Sequence, residues 1–254
     1  DELRGQVAGV GQGSQVAAGD HLDVEPQPLP GHATLELQRE EPVIGAGHHM
    51  EMAYTEFPKD ALLYDAFIHA HYRATASDLW LQTPDGKKTL LVALPRYDFN
   101  WQRAYTFAEP VKIPAGSRLI SRYWYDNSKR NPSNPDPSIE VTWGEQSFQE
   151  MLFTQVDFRW MDETAAAQVD SDGRFADTRV IGFLDKDLDG KIEKAELRGQ
   201  VGKALGAQFD ALDANHDGAL DKAEMKVAMS KMQGFQRRRT PAEEFNAPAA
   251  PPAA

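Results

Sequence analysis

Oxygen-bearing side chains recur at alternate positions in two stretches near the C-terminus, residues 185–196 (DKDLDGKIEKAE) and 213–224 (DANHDGALDKAE). The sixth position of each is glycine, which permits a sharp turn with positive φ. Oxygen ligands at this spacing suit Ca²⁺, which binds about six to eight of them. We therefore predict two calcium sites. The ligands expected for the first are Asp185, Asp187, Asp189, the backbone carbonyl of Lys191, Glu193 and Glu196. Those expected for the second are Asp213, Asn215, Asp217, the backbone carbonyl of Ala219, Asp221 and Glu224.

Both stretches match the EF-hand calcium loop at every ligand position. Ile192 and Leu220 stand eighth, where two such loops can pair through a short β contact. Helices are predicted before the first loop, at about 197–205 and 206–212 between the loops, and after the second loop, whereas residues 170–173 (DSDG) read as a turn. Methionines in the last helix are typical of the adaptable groove of calcium sensors, but methionine at helical spacing more often belongs to an ordinary core. The hands are therefore interpreted as a calcium-stabilised module or, alternatively, as a sensor.

Composition limits the classes of function. The chain has 254 residues, 41% of them hydrophobic, a net charge of −12 and no cysteine. The acidic balance argues against nucleic-acid binding, and no apolar run is long enough to cross a bilayer. Without cysteine there are no disulfides and no thiolate metal sites. Calcium loops in such a chain suggest a bacterial protein of the periplasm or the extracellular space.

The chain divides into four parts by composition. Residues 1–19 form a flexible lead-in, and residues 235–254 form a tail rich in proline and alanine. Residues 20–161 contain short β-type runs separated by turn signals, which predict an antiparallel β-sandwich. Residues 162–234 predict a small all-α pair of hands. The predicted strands are residues 33–37, 48–54, 62–73, 78–82, 89–94, 118–125 and 148–158.

Two histidines flank one alanine within a strand-like run, at His69 and His71. Alternate residues of a strand share a face, so the two imidazoles can bind one metal ion. Imidazole suits copper and zinc, and a thioether ligand adds a preference for Cu(I). Two histidines on a solvated face give the same pattern, and that alternative stays open.

Three longer stretches resemble the C-terminal domain of bacterial copper type II, ascorbate-dependent monooxygenases, which are similar to peptidylglycine hydroxylating monooxygenase. The resemblance covers about residues 43–160, and its most specific segments are YDFNWQ (97–102), YDNSKRNPSNPDP (125–137) and WGEQSFQEM (143–151). It implies a β-sandwich that binds one copper through His69, His71 and Met151, where O₂ is activated to hydroxylate a C–H bond. The family also has an N-terminal domain with a second copper, for which the stretch before the sandwich is too short. His48 and His49 are an alternative second copper site.

Three functions are compatible with these motifs and with the family resemblance. The first is a copper-binding domain of monooxygenase type, active alone or with a partner that supplies electrons. The second is a non-catalytic accessory or scaffold subunit of a larger redox or envelope assembly, stabilised by calcium. The third is a periplasmic copper carrier or sensor. The sequence names no substrate and no partner.

Overall fold

Eight strands form the larger part of the computed structural model, which describes residues 33–39 and 44–238. They are β1 (Ala33–Arg39), β2 (Gly47–Phe57), β3 (Ala61–His69), β4 (Ala74–Gln82), β5 (Lys88–Leu94), β6 (Ala104–Ile113), β7 (Ser117–Asn127) and β8 (Leu152–Trp160). The first sheet has the order β1-β8-β3-β6 and the second has the order β2-β7-β4-β5. All neighbouring strands are antiparallel. The predicted β-sandwich is therefore confirmed.

Short helices and two short strands follow the sandwich, and we call residues 171–238 the hand region. Its elements are α1 (Ser171–Leu184), β9 (Ile192–Glu193), a 3-10 helix (Lys194–Glu196), α2 (Gly199–Gly206), α3 (Phe209–Leu212), β10 (Ala219–Leu220) and α4 (Lys222–Arg238). Within the described residues, none of these helices is long and apolar enough to cross a membrane. The predicted lead-in, and the predicted tail beyond residue 238, lie outside the described residues.

Alternation between buried and partly exposed residues places the core between the two sheets. Every second residue of β8, from Leu152 to Trp160, is buried. In β3 this alternation changes phase, because a β-bulge shifts the register between Leu63 and Asp65. Ala61 and Leu63 face the core before the bulge, whereas the even-numbered residues are buried after it. His69 therefore points to the outer face of the first sheet.

The hand region packs against the outer face of the second sheet. Tyr54 and Ile120 of the sheet belong to the same buried cluster as Ile181 and Phe209 of the helices. α1 lies so close to β2 that a Cβ added at Gly182 would stand 1.8 Å from the Tyr54 carbonyl oxygen. Glycine at this position allows the helix and the strand to touch.

Aromatic rings join α1 to the interior of the sandwich. The ring centroid of Phe175 lies 5.1 Å from those of Phe57 and Trp160 and 5.8 Å from that of Phe158. All four side chains are completely buried. Aromatic pairs at such separations are stabilising beyond the area they bury, so α1 is anchored at both the core and the outer face.

Several element boundaries differ from the sequence prediction. The segment 170–173, predicted as a turn, begins α1 instead, because the Asp170 carboxylate accepts a hydrogen bond from the Gly173 amide and caps the helix.

The strand predicted at 62–73 ends at His69, and β6 was not predicted at all. Most of the side chains of β6 are exposed or half-buried, which leaves little apolar alternation in its sequence. α4 continues to Arg238, so the tail does not begin at residue 235.

Candidate metal-binding sites

The first calcium loop, residues 185–196, begins where α1 ends. Asp185 caps the helix, with its amide donating to the carbonyl of Ile181. Carboxylate oxygens of Asp185, Asp187 and Asp189 lie within 4.8 Å of one another. Gly190 has φ 91°, a conformation that glycine adopts without strain. The structure therefore brings the first three predicted ligands together around one point.

The twelfth residue of this loop turns inward. Glu196 is 7% exposed, and its two carboxylate oxygens accept hydrogen bonds from the amides of Lys186 (2.6 Å) and Glu193 (3.1 Å). A hydrogen bond shared with Glu196 raises the pKa of Glu193 to about 7. Carboxylates crowded in this way favour a divalent cation, because its charge offsets their mutual repulsion.

The second loop, residues 213–224, repeats this arrangement. Asp213 accepts hydrogen bonds from the amides of Asp217 (3.1 Å) and Gly218 (3.0 Å), and Gly218 has φ 89°. Glu224 is 8% exposed and accepts from the amides of Ala214 (2.8 Å) and Asp221 (2.9 Å). The remaining predicted ligand residues are in the corresponding positions of the loop, at Asn215 and Ala219.

The two loops are paired as the sequence predicts. Ile192 of β9 is the register partner of Leu220 of β10, and both are completely buried. Lys191, the seventh residue of the first loop, also forms an ion pair with Asp217 of the second loop at 2.8 Å. The loops therefore form one paired unit.

The predicted copper ligands lie at one end of the first sheet, far along the chain from the loops. His69 is the last residue of β3, and His71 follows in the turn after it. Their ring centroids are 5.1 Å apart. In the register of β3 with β8, His69 is opposite Phe153. Met151 lies one residue before β8, the strand that neighbours β3 in the first sheet.

Each imidazole has one nitrogen engaged by the protein. Nδ1 of His69 contacts Oε1 of Gln102, whose amide is oriented by a hydrogen bond to the carbonyl of Phe99 at 2.7 Å. Nδ1 of His71 is 3.3 Å from the carbonyl oxygen of Gln149. Metal-bound histidines commonly donate their second ring nitrogen to such oxygens, which orients the ring.

Burial favours the neutral form of His71. Desolvation lowers the pKa of His71, and the neighbouring His69 lowers it further. A neutral imidazole has a lone pair to offer a metal ion, whereas a protonated one has none. Two imidazoles this close together suit a copper or zinc ion.

A buried glutamate that the sequence did not single out supports this site. Glu150 is completely buried and accepts hydrogen bonds from the amides of His71 (2.9 Å), Arg73 (2.6 Å) and Met151 (3.3 Å). Burial raises its pKa to about 7, although these amide bonds oppose the shift. Glu150 thus links the turn that contains His71 to the start of β8.

Two tyrosines hold the same backbone. The hydroxyl of Tyr97 donates to the carbonyl of Ala70 (2.7 Å) and accepts from its amide (2.9 Å), between the two histidines. The hydroxyl of Tyr125 donates to the carbonyl of Met151 at 2.7 Å. Both tyrosines lie within or beside the segments that carry the family resemblance, but no short motif identifies these roles.

His48 and His49 lie elsewhere. Both belong to β2 of the second sheet, whereas His69 belongs to the first. Nε2 of His48 is 3.8 Å from a carboxylate oxygen of Asp126, and Nε2 of His49 contacts the carbonyl of Ala46 at 3.3 Å. The structure does not bring these histidines to His69 and His71.

Comparison with known proteins supports calcium binding in the hand region and gives no support to copper binding at the histidines. Residues 205–229 match the EF-hand family, and this stretch contains α3, the second loop and the first part of α4. The match supports calcium binding. No curated protein matches the chain in sequence. The resemblance of residues 43–160 to copper monooxygenases therefore stays a prediction.

Solved structures with some likeness include structures of infectious bursal disease virus. The Gt strain structure has 8% identity and a TM-score of 0.27, covering 59% of this chain and 38% of that one. The VP2 subviral particle of the same virus has 8% identity and a TM-score of 0.25, covering 86% of this chain and 58% of that one. These scores are too low to indicate a common fold.

Proposed function

We propose that this chain is a calcium-binding protein with two EF-hand sites, formed by residues 185–196 and 213–224, beside a β-sandwich. Two loops with the same pattern of hydrogen bonds, paired through β9 and β10, support the proposal. Calcium rigidifies such a pair by replacing repulsion among carboxylates with coordination. A periplasmic or extracellular location would supply enough calcium.

Calorimetric titration of the chelator-treated chain with Ca²⁺ tests this proposal. We expect two equivalents to bind, and one fewer in each of the variants Glu196→Gln and Glu224→Gln, which remove the bidentate ligand. Asp210→Asn is the matched control, because Asp210 is exposed and lies outside both loops. A wild-type chain that binds no calcium would refute the proposal, and a stoichiometry of one would restrict it to a single loop.

As a second function, we propose that His69, His71 and Met151 bind one copper ion on the outer face of the first sheet. The convergence of two imidazoles with the start of β8, braced by Glu150, favours this function. When bound, copper supplies redox chemistry with dioxygen. The protein residues would orient the imidazoles, favour the neutral form of His71 and fix the backbone of Met151.

Copper binding can be tested by titrating the chain with Cu(II) and recording electron paramagnetic resonance. We expect one site with nitrogen coupling, which His69→Ala/His71→Ala abolishes. His48→Ala/His49→Ala, the matched control on β2, should retain the signal. The opposite outcome in the two double variants would move the site to the second sheet.

Activity then separates the three functions that the site allows. A monooxygenase-like protein consumes O₂ with ascorbate and a substrate, and loses that activity on Met151→Ala. A copper carrier binds Cu(I) more tightly than Cu(II) and transfers it without turnover. A scaffold subunit of a redox or envelope assembly is indifferent to Met151→Ala and depends on calcium for docking to its partner.

A further inference from the structure

The first calcium loop makes a contact with the sandwich that the second loop does not share. The hydroxyl of Tyr54, on β2, donates a hydrogen bond of 2.6 Å to Oδ2 of Asp185, the first predicted ligand. Both residues are buried, at 3% and 2% exposure. A hydrogen bond to a carboxylate is stronger than one between neutral groups, so this contact restrains the carboxylate from outside the hand region.

The same carboxylate is restrained from within its loop. Oδ2 of Asp185 also accepts from the amide of Gly190 at 2.8 Å, and Oδ1 accepts from the amide of Leu188 at 2.7 Å. Tyr54 and Gly190 therefore converge on one oxygen, which sets the rotation of the carboxylate about its Cβ–Cγ bond. The other oxygen remains directed toward the loop.

An arginine of β7 extends the contact. The guanidinium of Arg118 lies 4.7 Å from the ring centroid of Tyr54 and donates to the carbonyl of Leu188 at 2.7 Å. Its Nε is 3.6 Å from a carboxylate oxygen of Glu56, which offsets its charge beside the loop. Lys222, at the start of α4, also pairs with Glu56.

The second loop provides an internal comparison. The hydrogen bonds recorded for the Asp213 carboxylate come from Asp217 and Gly218, both in its own loop. Among the described residues, no side chain of the sandwich donates to Asp213. The two loops thus differ in whether the sandwich supports their first ligand.

We propose that the sandwich forms part of the first calcium site, with Tyr54 and Arg118 as positioning residues that prepare Asp185 and its loop for the ion. Calcium binding to the first loop is then linked to the packing of the hand region on the second sheet. Linkage is reciprocal, so calcium at this loop strengthens the packing as much as the packing strengthens binding. The second loop contacts the sandwich through Lys222 and Glu56 rather than through its first ligand residue. The inference rests on the proposed calcium function.

Site-resolved titration of the ¹⁵N-labelled full chain with Ca²⁺ tests this inference. The amides of Gly190 and Gly218 are equivalent reporters, because each donates to the first carboxylate of its own loop. Tyr54→Phe removes only the hydroxyl and keeps the ring under Arg118. We expect Ca²⁺ affinity at Gly190 to fall roughly tenfold, as when an outer-shell partner is removed, and affinity at Gly218 to stay unchanged.

Two further variants sharpen the test. Arg118→Lys keeps the positive charge near Glu56 but loses the planar group that reaches Leu188, and should weaken the first site alone, by about threefold. Tyr105→Phe, on β6 of the other sheet, is the matched control and should leave both affinities unchanged.

Equal affinities at Gly190 in the wild type and in Tyr54→Phe, or equal losses at Gly190 and Gly218, would overturn the inference while leaving calcium binding intact. A wild-type chain in which neither glycine responds to Ca²⁺ would overturn the proposed function and this inference together.

Discussion

The calcium loops and the histidine cluster lie on the outer faces of opposite sheets, and they are built in opposite ways. Each calcium loop draws its predicted ligands from one short segment, with acidic residues such as Asp187 and Asp189 exposed to solvent. The histidine cluster combines the end of β3 with the start of β8, and its supporting residue Glu150 is completely buried. An ion would stabilise the acidic loops by offsetting the repulsion among their carboxylates, whereas buried hydrogen bonds brace the backbone beside the histidines without an ion.

This contrast predicts which region changes with its metal. Removing calcium should loosen the hand region, because its carboxylates then repel one another. Removing copper should leave the first sheet unchanged, since Glu150 and Tyr97 hold the backbone independently of the ion.

Chelation of calcium should have the largest effect. A site held at a hundred times its Kd contributes about 2.7 kcal/mol, so two sites contribute about 5 kcal/mol to the stability of the hand region. Thermal unfolding followed by circular dichroism, with and without chelator, measures the difference. Glu196→Gln/Glu224→Gln should unfold alike in both conditions. A wild-type chain that is insensitive to chelator would remove the distinction between the two regions.

Glu150→Ala should cost about 3 kcal/mol at pH 5, because the amides of His71, Arg73 and Met151 lose their acceptor. Burial raises the pKa of Glu150 to about 7. The folded state therefore retains a proton that the unfolded chain releases above about pH 4.5. The stability that Glu150 contributes is complete below that pH and falls as the pH rises through 7.

Urea denaturation at pH 5 and pH 8 measures this dependence. The loss in Glu150→Ala should be smaller at pH 8, and the exposed Glu145→Ala should be neutral at both values. A loss that grows with pH would show that the Glu150 carboxylate is stabilised in its ionised form.

Gly182→Ala should cost about 2 kcal/mol, because the new methyl group would lie 1.8 Å from the Tyr54 carbonyl oxygen and α1 must move away from β2. Gly206→Ala is the matched helical control, since its nearest neighbour is the flexible end of Leu197 at 3.4 Å. Urea denaturation of both variants gives the comparison. Equal stability of the two would mean that α1 and β2 are not tightly packed.

Tyr97→Phe should have the smallest effect, about 1 kcal/mol, through loss of the two hydrogen bonds to Ala70. The same variant should bind copper less tightly, because the backbone between the histidines is less restrained. Tyr72→Phe, whose ring packs on Phe99, is the control for both measurements. Unchanged copper affinity in Tyr97→Phe would show that the histidines need no such support.

The two acidic loops could be predicted from the sequence because every proposed ligand is fixed by its position within one loop. The β contact between Ile192 and Leu220 was confirmed for the same reason. The histidine cluster is different, since a strict alternation from Leu63 would have turned His69 toward the core. The β-bulge after Leu63 turns His69 to the outer face instead. No residue pattern in β3 predicts this bulge.

The contacts that support each site also could not be predicted from the sequence. Tyr54 and Asp185 are far apart in the chain and meet only because α1 packs on β2. Glu150 lies in a segment that sequence reasoning assigned to a strand, yet its role depends on hydrogen bonds to a turn between other strands. Both contacts arise from long-range packing, which local residue preferences do not predict.

The most direct test of this account is the metal content of the purified chain after exposure to both ions and mild dialysis. Elemental analysis should give two calcium ions and one copper ion for the wild type. His69→Ala/His71→Ala should lose only copper, and Glu196→Gln/Glu224→Gln should lose only calcium. Calcium without copper in the wild type, or loss of both metals in either variant, would contradict the existence of two independent metal-binding regions.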